Sequence, residues 1–99
     1  MSRLLAVLLS IVCLAGCRGA PVQEMSDARQ AIEAARVAGA AVHSPADLAA
    51  AQAAIAHAEE HLRAQQYTRA RIAALEAKRH AAVALANSER AAVPQAAPP

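Results

Sequence analysis

The sequence predicts an all-α fold: an alanine-rich antiparallel helical hairpin or three-helix bundle, preceded by an N-terminal helical signal peptide. Three observations predict it. Beyond about residue 26, apolar residues recur at steps of three and four, which is a helical and not a strand period. Composition agrees, because 57% of the 99 residues are hydrophobic while Trp and Phe are absent and Tyr67 is the one aromatic; most of the apolar content is alanine, the best helix former. Ser44-Pro45-Ala46-Asp47 then supplies a helix start in the middle of an otherwise helical chain.

In chain order, the first segment reads as an address. Arg3 precedes an apolar run from Leu4 to Leu14 broken only by Ser10, which has the length and charge order of a secretory signal. The run is too short to span a bilayer core, which takes about 20 helical residues. It closes on Leu14-Ala15-Gly16-Cys17, which resembles the lipobox of bacterial lipoproteins. The resemblance implies cleavage between Gly16 and Cys17 and acylation of the Cys17 sulfur with diacylglycerol and palmitate-type chains. An ordinary cleaved signal, a buried core helix and a reactive or metal-binding Cys17 are the alternatives. The last lacks a second cysteine at ligand spacing, since Cys13 leaves with the signal.

Residues 1–16 are then the signal peptide, and residues 17–25, with Gly19 and Pro21, a flexible tether. Residues 26–90 form one alanine-rich helical domain, too small for two cores. Residues 91–99, carrying Pro94, Pro98 and Pro99, read as a disordered tail.

The first helix is expected over about 26–42, capped by Ser26 with Asp27 near the positive end of the dipole. Its stripe is Ala28, Ile32, Ala35, Gly39 and Val42, with Gly39 either admitting a close neighbour or starting an unwinding that His43 completes. The second, about 46–64, begins with Ser44 accepting from an exposed amide, Pro45 at the first position and Asp47 in a variant capping box. Leu48, Ala51, Ile55, Ala58 and Leu62 form its seam, and Glu59 and Arg63 are spaced for a surface pair. After Leu62 the phase breaks: the next stripe, Tyr67, Ala70, Ala74, Ala77, Ala81, Ala84 and Ser88, is turned by about 140° at 100° per residue. That predicts a turn near Gln65-Gln66 and a third helix over about 67–90, against the alternative of one long continuous helix.

The large side chains open to the core are Ile32, Val42, Leu48, Ile55, Leu62, Ile72, Leu75 and Val83, so the interior is thin. The formal charge of +2 falls by one with Arg3, which leaves no field that argues for nucleic acid.

His57-Ala58-Glu59-Glu60-His61 matches the inverted zinc-protease pattern, in which His57 and His61 would share a metal and Glu60 would act as base. No distant carboxylate supplies a third ligand and the alanine core offers little for a cleft, so no metal, cofactor or catalytic residue is expected; His57 and His61 are the residues that would hold an ion. His43 reads as a helix-end residue and His80 as a partner of Glu76. Arg69, Arg71, Lys78 and Arg79, with Arg90, make the third helix basic. They are the candidates for binding anionic headgroups or acidic cell-wall peptides, set against the plainer reading of a solvated outer face.

The words Ala34-Ala35-Arg36-Val37-Ala38-Gly39-Ala40-Ala41, Ser44-Pro45-Ala46-Asp47-Leu48 with Ala51 and Ala54, and Tyr67-Thr68-Arg69-Ala70-Arg71 resemble the small helical proteins catalogued as domain of unknown function 4398, over roughly Met25 to Arg90. The resemblance implies a helical lipoprotein of a Gram-negative envelope, sometimes beside peptidoglycan-binding modules, with no established activity. Many members carry Gly-Asp where this chain has Gln65-Gln66. The Tyr-x-x-Ala opening is also similar to the second helix of a tetratricopeptide hairpin, but only one such unit is present where about three are needed.

The function expected is that of a lipid-anchored cell-envelope lipoprotein, on the outer membrane facing the periplasm, with a non-enzymatic structural or protein-interaction role. Its partners would be the membrane, through the anchor, and an envelope protein, peptidoglycan or a second copy, but not nucleic acid. The alternatives are a module binding peptidoglycan or an anionic envelope ligand, and a metal-dependent hydrolase built on the His-x-x-Glu-His segment.

Overall fold

A computed structural model of the chain describes residues 2–7 and 19–93. They form helices α1 (residues 2–7), α2 (Val22–Val37), α3 (Ala40–His43), α4 (Pro45–Arg63) and α5 (Tyr67–Ala92), with no strand among the described residues. The fold is all-α, as expected. The lipobox, including Gly16 and Cys17, and the tail beyond Val93 lie outside the described residues. No helix among the described residues is long and apolar enough to cross a membrane.

Helix α2 starts at Val22, inside the stretch expected to be tether. Pro21 precedes it and its carbonyl accepts the Met25 amide at 3.0 Å; a residue without an N–H fits a position where that donor would have no helical partner. Burial decides the boundary. Met25 is buried against Ala58, Ala73 and Ala74, and withdrawing that long side chain from water favours helix over a solvated linker. Ser26 is therefore not a cap: its Oγ lies within the helix and accepts from Gln30 Nε2 at 3.3 Å.

The helix then stops at Val37, because Gly39 adopts a left-handed φ of 92°. The Gly39 amide donates to the Arg36 carbonyl at 3.0 Å, and the chain restarts as α3. Of the two roles foreseen for Gly39, the structure selects the break. The consequence is a shift of face: Ala40 becomes buried, whereas Val42, expected in the stripe, is 79% exposed.

Pro45 occupies the first position of α4, but Ser44 does not cap the backbone. Its hydroxyl donates to Asp47 Oδ2 at 2.9 Å and accepts from Asn87 Nδ2 at 3.1 Å, and Asn87 Nδ2 also lies 3.4 Å from Asp47 Oδ2. A polar clamp thus ties the start of α4 to the end of α5.

At the other end the turn falls where the phase change put it. Ala64 closes α4, Gln65 takes a φ of 58°, the Gln66 amide donates to the His61 carbonyl at 2.8 Å, and the Gln65 amide donates to Leu62 at 3.0 Å. This pair of bonds is a Schellman motif with glutamine at the left-handed position usually given to glycine. α5 then runs to Ala92, slightly past the expected end.

Three layers of small residues hold α2, α4 and α5 together. Met25 meets Ala58, Ala73 and Ala74; Ala28 meets Ala54 and Ala77; Ile32 and Ala35 meet Leu48, Ala51, Ala81 and Ala84, with Ala40 beside them. Numbers rise together along α2 and α5 and fall along α4, so α4 is antiparallel to both. The expected α5 seam is fully buried from Ala70 to Ser88, whereas Tyr67, its expected first member, is 37% exposed at the helix start; Ser88 satisfies its hydroxyl on the Ala84 carbonyl at 2.8 Å. Methyl groups let helix axes approach at the short end of the roughly 8–10 Å range. Among the expected large core residues, Ile32 and Leu48 are buried and Ile55 and Leu62 partly so. Ile72, Leu75 and Val83 face outward with 61%, 50% and 44% exposure, because at about 100° per residue they fall on the side of α5 opposite its buried alanine seam.

Candidate functional site

The α4–α5 turn places the last two turns of α4 beside the first turns of α5, and an open groove of about 310 Å³ lies between them. His57 and His61, one helical turn apart on α4, form one wall; Arg69, Ile72, Ala73 and Glu76 on α5 form the other. The two sequence-predicted histidines are therefore brought together with one of the predicted arginines.

Each histidine is engaged through its Nδ1. His61 Nδ1 lies 2.9 Å from Gln66 Oε1, and His57 Nδ1 lies 3.7 Å from Glu60 Oε2. Glu60, the residue that would have served as base, faces His57 as an exposed neighbour one turn on. Among the described residues no three His, Cys, Asp or Glu side chains gather where they could hold a metal ion. The groove combines two imidazoles, a guanidinium and a carboxylate over the apolar Ile72 and Ala73, a surface suited to polar contact with another molecule.

The four basic candidates divide among different partners. Arg71 Nε donates to Glu24 Oε1 at 3.2 Å and its Nη2 to the Gly19 carbonyl at 3.1 Å, fastening the start of α2 to α5. Lys78 Nζ is 3.9 Å from Asp27 on α2, whereas Arg79 pairs within its own helix with Glu76 at 3.7 Å. Arg69 alone of the four lines the groove. Two of the four cations thus serve the α2–α5 seam, a use that a one-helix charge pattern does not reveal.

Other expected pairs are replaced. Glu59 reaches across to Arg29 on α2 at 3.3 Å and not to Arg63, and Glu76 meets Arg79 and not His80. His43 belongs to α3 and not to a loop. Asn87 was not singled out from the sequence. It joins Ser44 and Asp47 and accepts from Arg90 Nη2 at 2.7 Å, and its only sequence signal is a polar residue beside an alanine seam.

The comparisons with known proteins bear on the same stretch. The family described as Domain of unknown function (DUF4398) matches residues 23–97. The chain belongs to this family. The match takes in α2 to α5 whole but for the first residue of α2, so the DUF4398 region and the helical bundle coincide. No match was found among the curated proteins or among the solved structures.

Proposed function

We propose that this DUF4398 protein is a lipid-anchored lipoprotein of the cell envelope, held through Cys17 on the outer membrane and facing the periplasm, where its helical body has a structural or protein-interaction role without catalysis. The observation that carries the reading is Leu14-Ala15-Gly16-Cys17 at the end of an apolar run that follows Arg3. Several acyl chains, each methylene contributing about 0.8 kcal/mol on burial, hold a protein firmly where one chain holds it marginally. Arg18 after the acylated residue is compatible with sorting to the outer membrane.

The bundle supports the interaction half of the reading. Its interior is mostly alanine with Met25, Ile32 and Leu48, while Val42, Ile72, Leu75, Val83 and several charges lie on the surface, an arrangement suited to helical contact. No comparable observation favours the cell-wall-ligand alternative, because Arg71 and Lys78 are engaged by Glu24 and Asp27, or the hydrolase alternative, because Glu60 faces His57 across exposed surface.

Metabolic labelling with a palmitate analogue, followed by membrane fractionation, tests the anchor. Label and membrane association in the wild type, both lost in Cys17→Ala, are expected. An unlabelled wild-type chain in the soluble fraction contradicts the proposal.

A further inference from the structure

The three large aliphatic residues of α5 that the bundle leaves outside are not scattered. At about 100° per residue, Ile72, Leu75, Arg79, Val83 and Ala86 fall in one stripe opposite the buried Ala70–Ser88 seam, at steps of three and four that repeat the heptad. α2 and α4 both pack on the alanine seam, so Ile72, Leu75 and Val83 stay exposed on the outward face, with Ile72 at its edge beside the α4 groove, while Leu85 packs partly buried against the core. Near its middle this face carries one acid and one base, Glu76 and Arg79, both exposed and 3.7 Å apart within the helix.

We infer that a second copy of this chain docks antiparallel on the outward face of α5, with Ile72 against the partner's Val83 and Glu76 against the partner's Arg79. The charges choose the direction. A parallel, in-register pair sets Arg79 against Arg79 and Glu76 against Glu76, and like charges directly opposed are destabilising. An antiparallel pair whose two-fold axis passes between Ala77 and Lys78 gives two Ile72–Val83 contacts and two Glu76–Arg79 contacts. Such reciprocity is what a two-fold interface requires, since the same patch serves both subunits. Leu75 lies within this seam, between Ile72 and the axis, and Ala86 lies beyond Val83. In this arrangement the two copies of Arg71, each fastened to its own Gly19, lie about 20 Å apart along the helix axis at 1.5 Å per residue, so both tethers can reach one membrane. The inference supplies the partner for the interaction role proposed above and rests on that role, but not on the lipid.

The test uses the full chain with Cys13→Ser and Cys17→Ser in non-ionic detergent at matched density, its mass read by sedimentation equilibrium. A dimer is expected for this chain. Glu76→Arg and Arg79→Glu, each alone, are expected to sediment as monomers with unchanged helical circular dichroism, because each opposes like charges across the axis. Mixing the two variants is expected to restore a dimer containing one of each, a rescue that no pair within a single helix can produce. A monomeric parent chain, single variants that stay dimeric, or a mixture that stays monomeric overturns the inference. Because Cys17 is absent from every arm, none of these results touches the anchor, which the labelling experiment tests separately.

Discussion

Replacing Ala77 by leucine tests the packing directly. Ala77 is 0% exposed and shares its layer with Ala28, Ala54 and the partly buried Ile55, so an isobutyl group has nowhere to go unless α2 or α4 moves outward. Leucine is nearly as good a helix former as alanine, so the sign is set by packing and not by propensity. Forcing methylenes into a filled interior costs about 1–3 kcal/mol. At about 4–8 °C per kcal/mol for a domain of this size, the melting temperature should fall by roughly 5–20 °C. Thermal unfolding followed by far-ultraviolet circular dichroism reads the change, with Val42→Ala as control; at 79% exposure, that truncation should stay within about 0.5 kcal/mol of wild type. An Ala77→Leu chain as stable as wild type, alongside a destabilised Val42→Ala chain, refutes an interior made of methyl groups.

Three further substitutions probe the ends of the helices. Gly39→Ala should destabilise by about 1–2 kcal/mol in chemical denaturation, since φ is 92° and a Cβ would sit 3.2 Å from His43 Cδ2. Gln65→Gly should do the opposite and raise the unfolding free energy by about 0.5–1 kcal/mol, as glycine relieves the left-handed φ of 58° at some cost in chain entropy. Asn87→Ala should cost about 1–2 kcal/mol, because it leaves the half-enclosed Ser44 hydroxyl and Asp47 carboxylate without their cross-helix donor; hydrogen exchange should then be faster at the α4 start than at Met25.

What the sequence made legible follows from phase. The α5 seam from Ala70 to Ser88 and the turn at Gln65-Gln66 both came from counting steps of three and four, and steric packing of a bundle enforces that count. Ser44-Pro45 marked the start of α4 because proline without an N–H belongs there, although the serine hydroxyl went to Asp47 and Asn87 instead of the backbone. Size misled. Larger side chains gain more from burial, which favours Ile72, Leu75, Val83 and Val42 as core residues, yet the first three lie on the face opposite the alanine seam and Val42 is turned outward by the break at Gly39. Two boundaries escaped for a different reason: Met25 is drawn into α2 by contacts with Ala58, Ala73 and Ala74, and the left-handed Gly39 ends α2 early. Both depend on residues distant in sequence or on a backbone angle, neither of which periodicity encodes.

The candidate groove was half legible. His57 and His61 one turn apart were visible as a pair, but Arg69, Ile72 and Glu76 join them only through the hairpin. The basic residues looked like one face because they share a helix; Glu24 and Asp27 on α2, far away in sequence, are what divide them.

The measurement closest to the central claim is the mass of the native chain isolated from its cells. Lipoprotein maturation predicts a product beginning at Cys17, without residues 1–16 and heavier by its acyl groups. A product that retains Met1 and carries a free thiol at Cys17 would contradict it.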